Sequence, residues 1–448
     1  SRATIYAVRD YGPYDNSKFG LYYSTVGKDT GKNDLFENID ITEFDGADDL
    51  YNPTGIIKQS EDNASKVFGF PTYYSTEGAS HCIRAMMYLV VLNAKKNGKK
   101  PVIAAGRNAH KAFVSAASLL DFRIAWLYPG NDESYLSCNI SPEDFESFLE
   151  NAEEKPVALY LTSPDYLGNI ADIEGLSRVC RKHGILLAVD NAHGAYLKFL
   201  EKSRHPIDLG AHLCCDSAHK TLPVVTGGAY LHIAKGVSDF SCQSVKNALA
   251  LFGSTSPSYL ILQSLDACNL YLEGYKKKLA DFLPLVAQTK ASLEKKGYCF
   301  YGDEPMKLTI SAKAYGYTGI ELADILKQNN VFCEFSDPDY LVLMPTPETE
   351  KAGLERVTQG LESIPRKDAK KDSPPKFTKP EKAMSVREAS ISPSEILPTE
   401  ECEGRILSAV TVGCPPAVPI VVCGERITKE VLDCFKYYGI TECSVTCE

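Results

Sequence analysis

The fold is decided by the stretch Ile185-Leu186-Leu187-Ala188-Val189-Asp190-Asn191-Ala192-His193-Gly194, taken with the later Asp216-Ser217-Ala218-His219-Lys220. In the first, an aliphatic run ends on a carboxylate. In the second, a lysine among hydroxyl and imidazole groups follows the apolar residues Ala211–Cys215. Both read as strands with polar groups at their C-terminal ends, where open α/β sheets bind ligands. Just upstream, Asp172 can cap a helix that runs to His183 and stops at Gly184, giving a strand-helix-strand rhythm. Working outward, strands are expected at Tyr73–Ser75, Pro101–Ala105, Ile124–Leu127, Val157–Leu161, Ile185–Val189, Ala211–Cys215 and Ala229–Ile233. Ser141-Pro142-Glu143-Asp144 carries the cap, the N1 proline and the acids of a helix start. The fold class is α/β with a mostly parallel sheet.

The chemistry follows from what ends those strands. A lysine can serve as a Schiff-base amine once desolvation lowers its pKa and frees a neutral nucleophile. Taken alone, Lys220 reads as a surface lysine and Asp190 as a carboxylate capping a loop. Together they supply an amine for pyridoxal 5′-phosphate (PLP) and an acid that keeps its pyridinium nitrogen protonated, which makes the ring an electron sink. Ser75-Thr76-Glu77-Gly78-Ala79-Ser80, at a strand-to-helix junction, offers a phosphate backbone N–H groups, small side chains and hydroxyls. A simple helix cap explains it as well until the other two elements are counted. Arg107-Asn108-Ala109-His110-Lys111 follows another strand, and His110 can lie flat on the ring and handle protons there. A solvent-facing histidine is the plain alternative for His110, and equally for His193 and His219.

A chain of 448 residues is long enough for two or three domains. The expected division is an N-terminal segment 1–50, a large cofactor-binding domain 51–285, a small α+β domain 286–365, a linker 366–382 and a C-terminal module 383–448. The linker, RKDAKKDSPPKFTKPEK, is too polar and proline-rich to build a core and reads as solvated. A net charge of -10 argues against a nucleic-acid partner. The apolar stretch near Met86–Leu92 falls short of the ~18 residues a spanning helix needs, so no membrane span and a cytoplasmic location are expected. Fifteen cysteines, odd in number and without a Cys-x-x-Cys pair, argue for reduced thiols and against a zinc site, and no metal is expected.

The motifs TEGAS (76–80), RNAHK (107–111), TSPDYLG (162–168), VDNAHG (189–194) and DSAHKTLP (216–223) occur in the order found in the fold-type-I ornithine/lysine/arginine decarboxylases. The chain resembles that family, in its short Gram-positive form, from about Thr42 to Glu425. The stretches Thr42–Glu43, Asp48-Asp49-Leu50, STSPSY at Ser254–Tyr259, Arg387-Glu388-Ala389 and Cys414-Pro415-Pro416 belong to the match. The resemblance implies an aspartate-aminotransferase-like PLP fold and the following roles. Lys220 would form the Schiff base, Asp190 would pair with the ring nitrogen, and His110 would stack on the ring. Ala79, Ser80, Ser217 and His219 would hold the phosphate. Ala192 and His193 would line the other side of the ring and its phenolic oxygen, with Thr162 and Asp165 nearby. Ser254–Tyr259 would approach the phosphate in a neighbouring subunit, which implies a homodimer with shared sites. The reaction implied is decarboxylation of arginine, lysine or ornithine to a diamine or polyamine precursor.

Departures from the family pattern bear on the substrate. Phe19-Gly20-Leu21-Tyr22-Tyr23-Ser24-Thr25 stands where a His-Met-Pro-Gly-His-Lys stretch is usual, Cys423-Gly424-Glu425 where Pro-Gly-Glu is usual, and Pro415-Pro416-Ala417 where Pro-Pro-Gly is usual. Asn191 replaces a frequent glutamate and Glu77 a frequent asparagine. Glu425 is retained and can meet a basic side chain, although a surface glutamate explains it too. The fold alone does not fix the reaction. An aminotransferase, and a catalytically silent paralogue acting as a partner subunit, both stay open.

Overall fold

The computed structural model describes residues 46–128, 135–237, 240–376, 379–414 and 418–447. Phe19–Thr25, Thr42–Glu43 and Pro415-Pro416-Ala417 lie outside them. In chain order the elements are α1 (Ile56–Phe68), β1 (Thr72–Ser75), α2 (Gly78–Lys96), β2 (Val102–Gly106), α3 (Lys111–Leu120), β3 (Arg123–Leu127), α4 (Pro142–Asn151) and β4 (Ala158–Thr162). They continue with α5 (Ile173–His183), β5 (Leu186–Asp190), β6 (Leu213–Asp216), α6 (Ala218–Thr221), β7 (Ala229–Ile233), α7 (Cys242–Phe252) and α8 (Tyr259–Leu272). All seven expected strands form, with ends shifted by no more than two residues. The helix signals hold as well. Ser141 and Asp144 cap α4 reciprocally, Asp172 accepts the Gly175 N–H at 2.8 Å to start α5, and Gly184 ends α5 in the left-handed region.

The described residues form two compact units, one within Ser1–Lys99 and Leu186–Lys277, the other within Lys100–Ile185 and Lys278–Glu448. In the first, the strands run in the order β1-β7-β6-β5. β5 and β6 are parallel, whereas β7 lies antiparallel to β6 and to β1. Every residue of β1, β6 and β7 is buried, the expected state of strands covered on both faces. In the second unit the order is β4-β2-β3, all parallel. This is the α/β class the sequence predicts.

The second unit also holds β8 (Phe300–Tyr301), β9 (Leu308–Ser311), β10 (Phe335–Ser336) and β11 (Tyr340–Leu343), an antiparallel sheet in the order β10-β11-β9-β8. Two strand pairs follow near the C-terminus: β12 (Ser394–Pro398) with β15 (Glu442–Thr446), and β13 (Thr411–Cys414) with β14 (Val418–Val422). Their core joins Leu407, Ile420, Ile427 and Phe435 to Leu136, Leu167 and Val342. Most described residues of the linker are exposed, yet it is anchored: the N–H groups of Lys367 and Lys370 donate to the carbonyls of Tyr315 (3.2 Å) and Lys313 (3.1 Å). Among the described residues no helix is long and apolar enough to cross a membrane.

Candidate functional site

In the first unit, β1 ends at Ser75 and α2 begins at Gly78, whose φ of +73° is open to glycine at little cost. The side chain of Glu77, at the N-cap position, makes no cap hydrogen bond; its Oε1 accepts the Ser254 N–H at 2.6 Å, within the STSPSY stretch. The first turn of α2 is therefore left without a side-chain cap, next to open space where a Cβ on Gly78 would meet nothing within 4 Å. Ala79 is buried and Ser80 half-buried there. His81 steadies the junction. Its Nε2–H donates to the Leu249 carbonyl at 2.7 Å, so its Nδ1 accepts from Ser75 Oγ at 2.8 Å.

The ends of β5 and β6 carry the charged groups. Asp190, only 2% exposed, closes β5, and its Oδ1 accepts the Ala192 N–H at 3.1 Å. At the following turn a Cβ on Gly194 would stand 2.0 Å from Asn191 Oδ1, so any larger residue would force the Asn191 side chain to shift. After β6, Ser217 starts the single turn α6, which presents Lys220; Lys220 Nζ lies 2.8 Å from His193 Nε2. His219 is pinned, with Nδ1 3.1 Å from the Gly228 carbonyl. Thr221 is buried, with no hydrogen-bond partner for its Oγ1. Asp190, Ala192, His193, Ser217, His219 and Lys220 thus share the ends of two paired strands.

In the second unit, Arg107 follows β2 and forms a two-pronged ion pair with Glu425, at 2.8 Å and 2.6 Å. The pair is buried, and Glu425 Oε2 also accepts the Val422 N–H at 2.8 Å. Both carboxylate oxygens of Glu425 are therefore engaged by its own chain. His110 is the N-cap of α3, its Nδ1 accepting the Ala112 N–H at 3.2 Å. Thr162 ends β4 with a buried, unpartnered Oγ1. Asp165 Oδ1 receives the N–H groups of Leu167 and Asn169, both at 2.9 Å, and Oδ2 the Asn169 side chain at 2.8 Å. Burial pushes the Asp165 pKa upward against those donors, and the carboxylate serves its own loop.

The first unit fits PLP on three observations: an uncapped helix start beside open space, a buried carboxylate ending one strand, and a lysine amine at hydrogen-bond distance from an imidazole on the next. Sequence reasoning passed over Asp216, His205 and His232. All three are fully buried, with both imidazoles on one carboxylate oxygen at 3.2 Å and 3.1 Å. The available signal was an aspartate placed between a strand and the DSAHK lysine.

A profile of the family described as "Orn/Lys/Arg decarboxylase, major domain" matches residues 20–303. The chain is similar to an arginine decarboxylase of Bacillus subtilis (strain 168), 30% identical over 424 residues that cover 89% of this chain and 84% of that protein. An uncharacterized protein of the same bacterium, YaaO, is 29% identical over 422 residues, covering 88% and 84%. Among solved structures, the Francisella novicida lysine decarboxylase LdcF matches with a TM-score of 0.75 at 16% identity, covering 99% of this chain and 81% of that one. That likeness bears on the fold. The profile spans more than half the sequence and the similarity nearly all of it, so the chain belongs to the Orn/Lys/Arg decarboxylase family.

Proposed function

We propose that the protein is a PLP-dependent decarboxylase of a basic L-amino acid, with arginine ahead of lysine and ornithine. The observation that carries this reading is Lys220 Nζ at 2.8 Å from His193 Nε2, on strand ends that also bear the buried Asp190. Family membership supplies the reaction class, and the arginine decarboxylases among the relatives supply the ranking.

When bound, PLP supplies an electron sink for the pair released as the Cα–carboxylate bond breaks. Ala79, Ser80, Ser217 and His219 would hold its phosphate, and Asp190 its ring nitrogen. Asp190 sits in a dry strand end, where a carboxylate keeps a facing N–H protonated. Lys220 Nζ lies 2.8 Å from His193 Nε2, so this pair would be placed to hold and deliver the proton that Cα takes up in place of the carboxylate. The roles of His110, Thr162 and Asp165 toward the cofactor, and of Glu425 toward the substrate, rest on the resemblance alone.

The test is incubation of the purified protein with PLP and each of arginine, lysine and ornithine, measuring carbon dioxide and the matching amine. Release from one of them is expected; Lys220→Ala should abolish it, and His193→Asn should slow it by about 10²–10⁴-fold. A keto acid without carbon dioxide would support an aminotransferase instead, and no reaction with any amino acid would support a silent partner subunit. A cytoplasmic homodimer belongs to the same reading. Ser254, Thr255 and Ser256 are exposed while Tyr259 Oη donates to the Asp48 carbonyl at 2.6 Å, so the segment is anchored yet presented. Sedimentation analysis should give twice the chain mass.

A further inference from the structure

We infer that Asp216 is a positioning residue of the cofactor site: from the sheet face opposite Asp190 it clamps Asn191, and so sets the strand ends from which Asp190 and Lys220 project. The inference rests on the reading of Lys220 as the cofactor lysine and adds residues to it.

The register of β5 and β6 pairs Asp190 with Cys215. Side chains alternate along a strand, so Asp190 and Cys215 share one face while Asp216 takes the other. The Cys215 thiol accordingly lies 3.7 Å from Asp190 Oδ1, and the Cys214 thiol 3.7 Å from Asp216 Oδ1. Asn191 continues the ladder, its N–H donating to the Cys215 carbonyl at 2.9 Å, and its Nδ2 donates to Asp216 Oδ1 at 2.7 Å. One side-chain bond thus ties the residue after Asp190 to the last residue of β6, directly ahead of the Lys220 turn.

Asp216 meets donors on both oxygens, Asn191 Nδ2 on Oδ1 and His205 Nε2 on Oδ2, an arrangement that suits the ionised, acceptor-only form. Burial alone would raise the Asp216 pKa, but the His205 and His232 imidazoles outweigh burial and hold it below the usual carboxylate range. His205 receives the Ile207 N–H on Nδ1 at 3.3 Å, so its proton sits on Nε2 and faces Asp216 Oδ2. The same polarity disfavours a cation among the three side chains, although their ligand atoms lie within 4.8 Å of one another, because that ring offers no lone pair inward. Asn191, where the resembling family often carries glutamate, becomes intelligible: a carboxylate there would face Asp216 at hydrogen-bond distance.

The experiment compares the wild-type chain with Asp216→Asn, Asn191→Asp and the exchange Asn191→Asp/Asp216→Asn, with Lys220→Ala as control. PLP affinity is read by equilibrium dialysis, the pH titration of bound-cofactor absorbance by spectrophotometry, and hydrogen exchange of residues 190–194 in the cofactor-free protein by mass spectrometry. Each single variant should weaken PLP binding about tenfold, move the titration by about one pH unit and speed exchange at 190–194, with the exchange variant recovering part of each loss. Unchanged affinity and titration in folded Asp216→Asn and Asn191→Asp would overturn the inference, as would zinc retained stoichiometrically. Should Asp216→Asn not fold, Asn191→Asp decides. A wild-type chain that takes up no PLP sinks the functional reading, while hydrogen exchange still tests the clamp.

Discussion

Arg107 and Glu425 stand 318 positions apart in sequence and meet in a buried ion pair. Removing one member of such a pair strands the other charge in a medium that cannot solvate it. Glu425→Gln should therefore cost about 3–5 kcal/mol of stability, read from urea unfolding, whereas the apolar double replacement Arg107→Met/Glu425→Leu should cost much less. A Glu425→Gln protein of unchanged stability and raised KM would instead make this glutamate a substrate contact. The sequence showed that Glu425 could meet a basic side chain. It did not show that the chain supplies one itself, because nothing local links the RNAHK motif to the segment after β14. Lys220, Asp190 and His193 were legible for the opposite reason: each sits within a few residues of an apolar run, and that run alone fixes its place at a strand end.

Helix starts show the same division between local and distant signals. Ser141 and Asp144 are three residues apart and were readable as a cap. The N-terminus of α1 is instead served from outside: Asp48 Oδ1 accepts the Thr54 N–H at 2.8 Å, and Oδ2 the N–H groups of Gly55 and Ile57, both at 2.9 Å. Burial works to raise the Asp48 pKa, and the backbone N–H groups of Thr54, Lys58, Gly55 and Asp49 outweigh it and lower it. Asp48→Ala should destabilise the protein by about 1–2 kcal/mol, visible as a lower urea midpoint with unchanged slope. Because the folded pKa is depressed, this stabilisation is present above the ordinary carboxylate pKa and fades as pH falls through the folded value. The direction of β7 was not legible either. Antiparallel and parallel neighbours in a buried sheet are apolar alike, and only pairing with β1 and β6 reveals the reversal.

Long-range pairing also explains the linker, whose composition reads as solvated. Lys313, 8% exposed, needs counter-charges and draws them from Asp339 at 3.0 Å and from Asp372 at 2.7 Å, so a polar segment is held without any core of its own. Buried ionisable groups likewise give the whole molecule a pH dependence with a definite sign. Burial depresses the pKa of His81, outweighing the Leu249 carbonyl and Glu77 and aided by Arg84, and it depresses that of His232 against Asp216, aided by His205 and Lys198. Both rings are thus neutral when folded at pH values where the unfolded chain would protonate them. The unfolded state then binds more protons, so their contribution is complete above about pH 6.5 and declines as pH falls. Asp337 acts oppositely. Burial pushes its carboxyl up to about 6, so its contribution is complete below the unfolded value and is lost as pH rises through about 6. Urea unfolding of the cofactor-free protein between about pH 5 and 7 separates the two. His81→Gln and His232→Gln should each flatten the rise of stability with pH, and Asp337→Asn should steepen it. Parallel curves for the histidine variants and the wild type would mean that neither imidazole is held neutral by the fold.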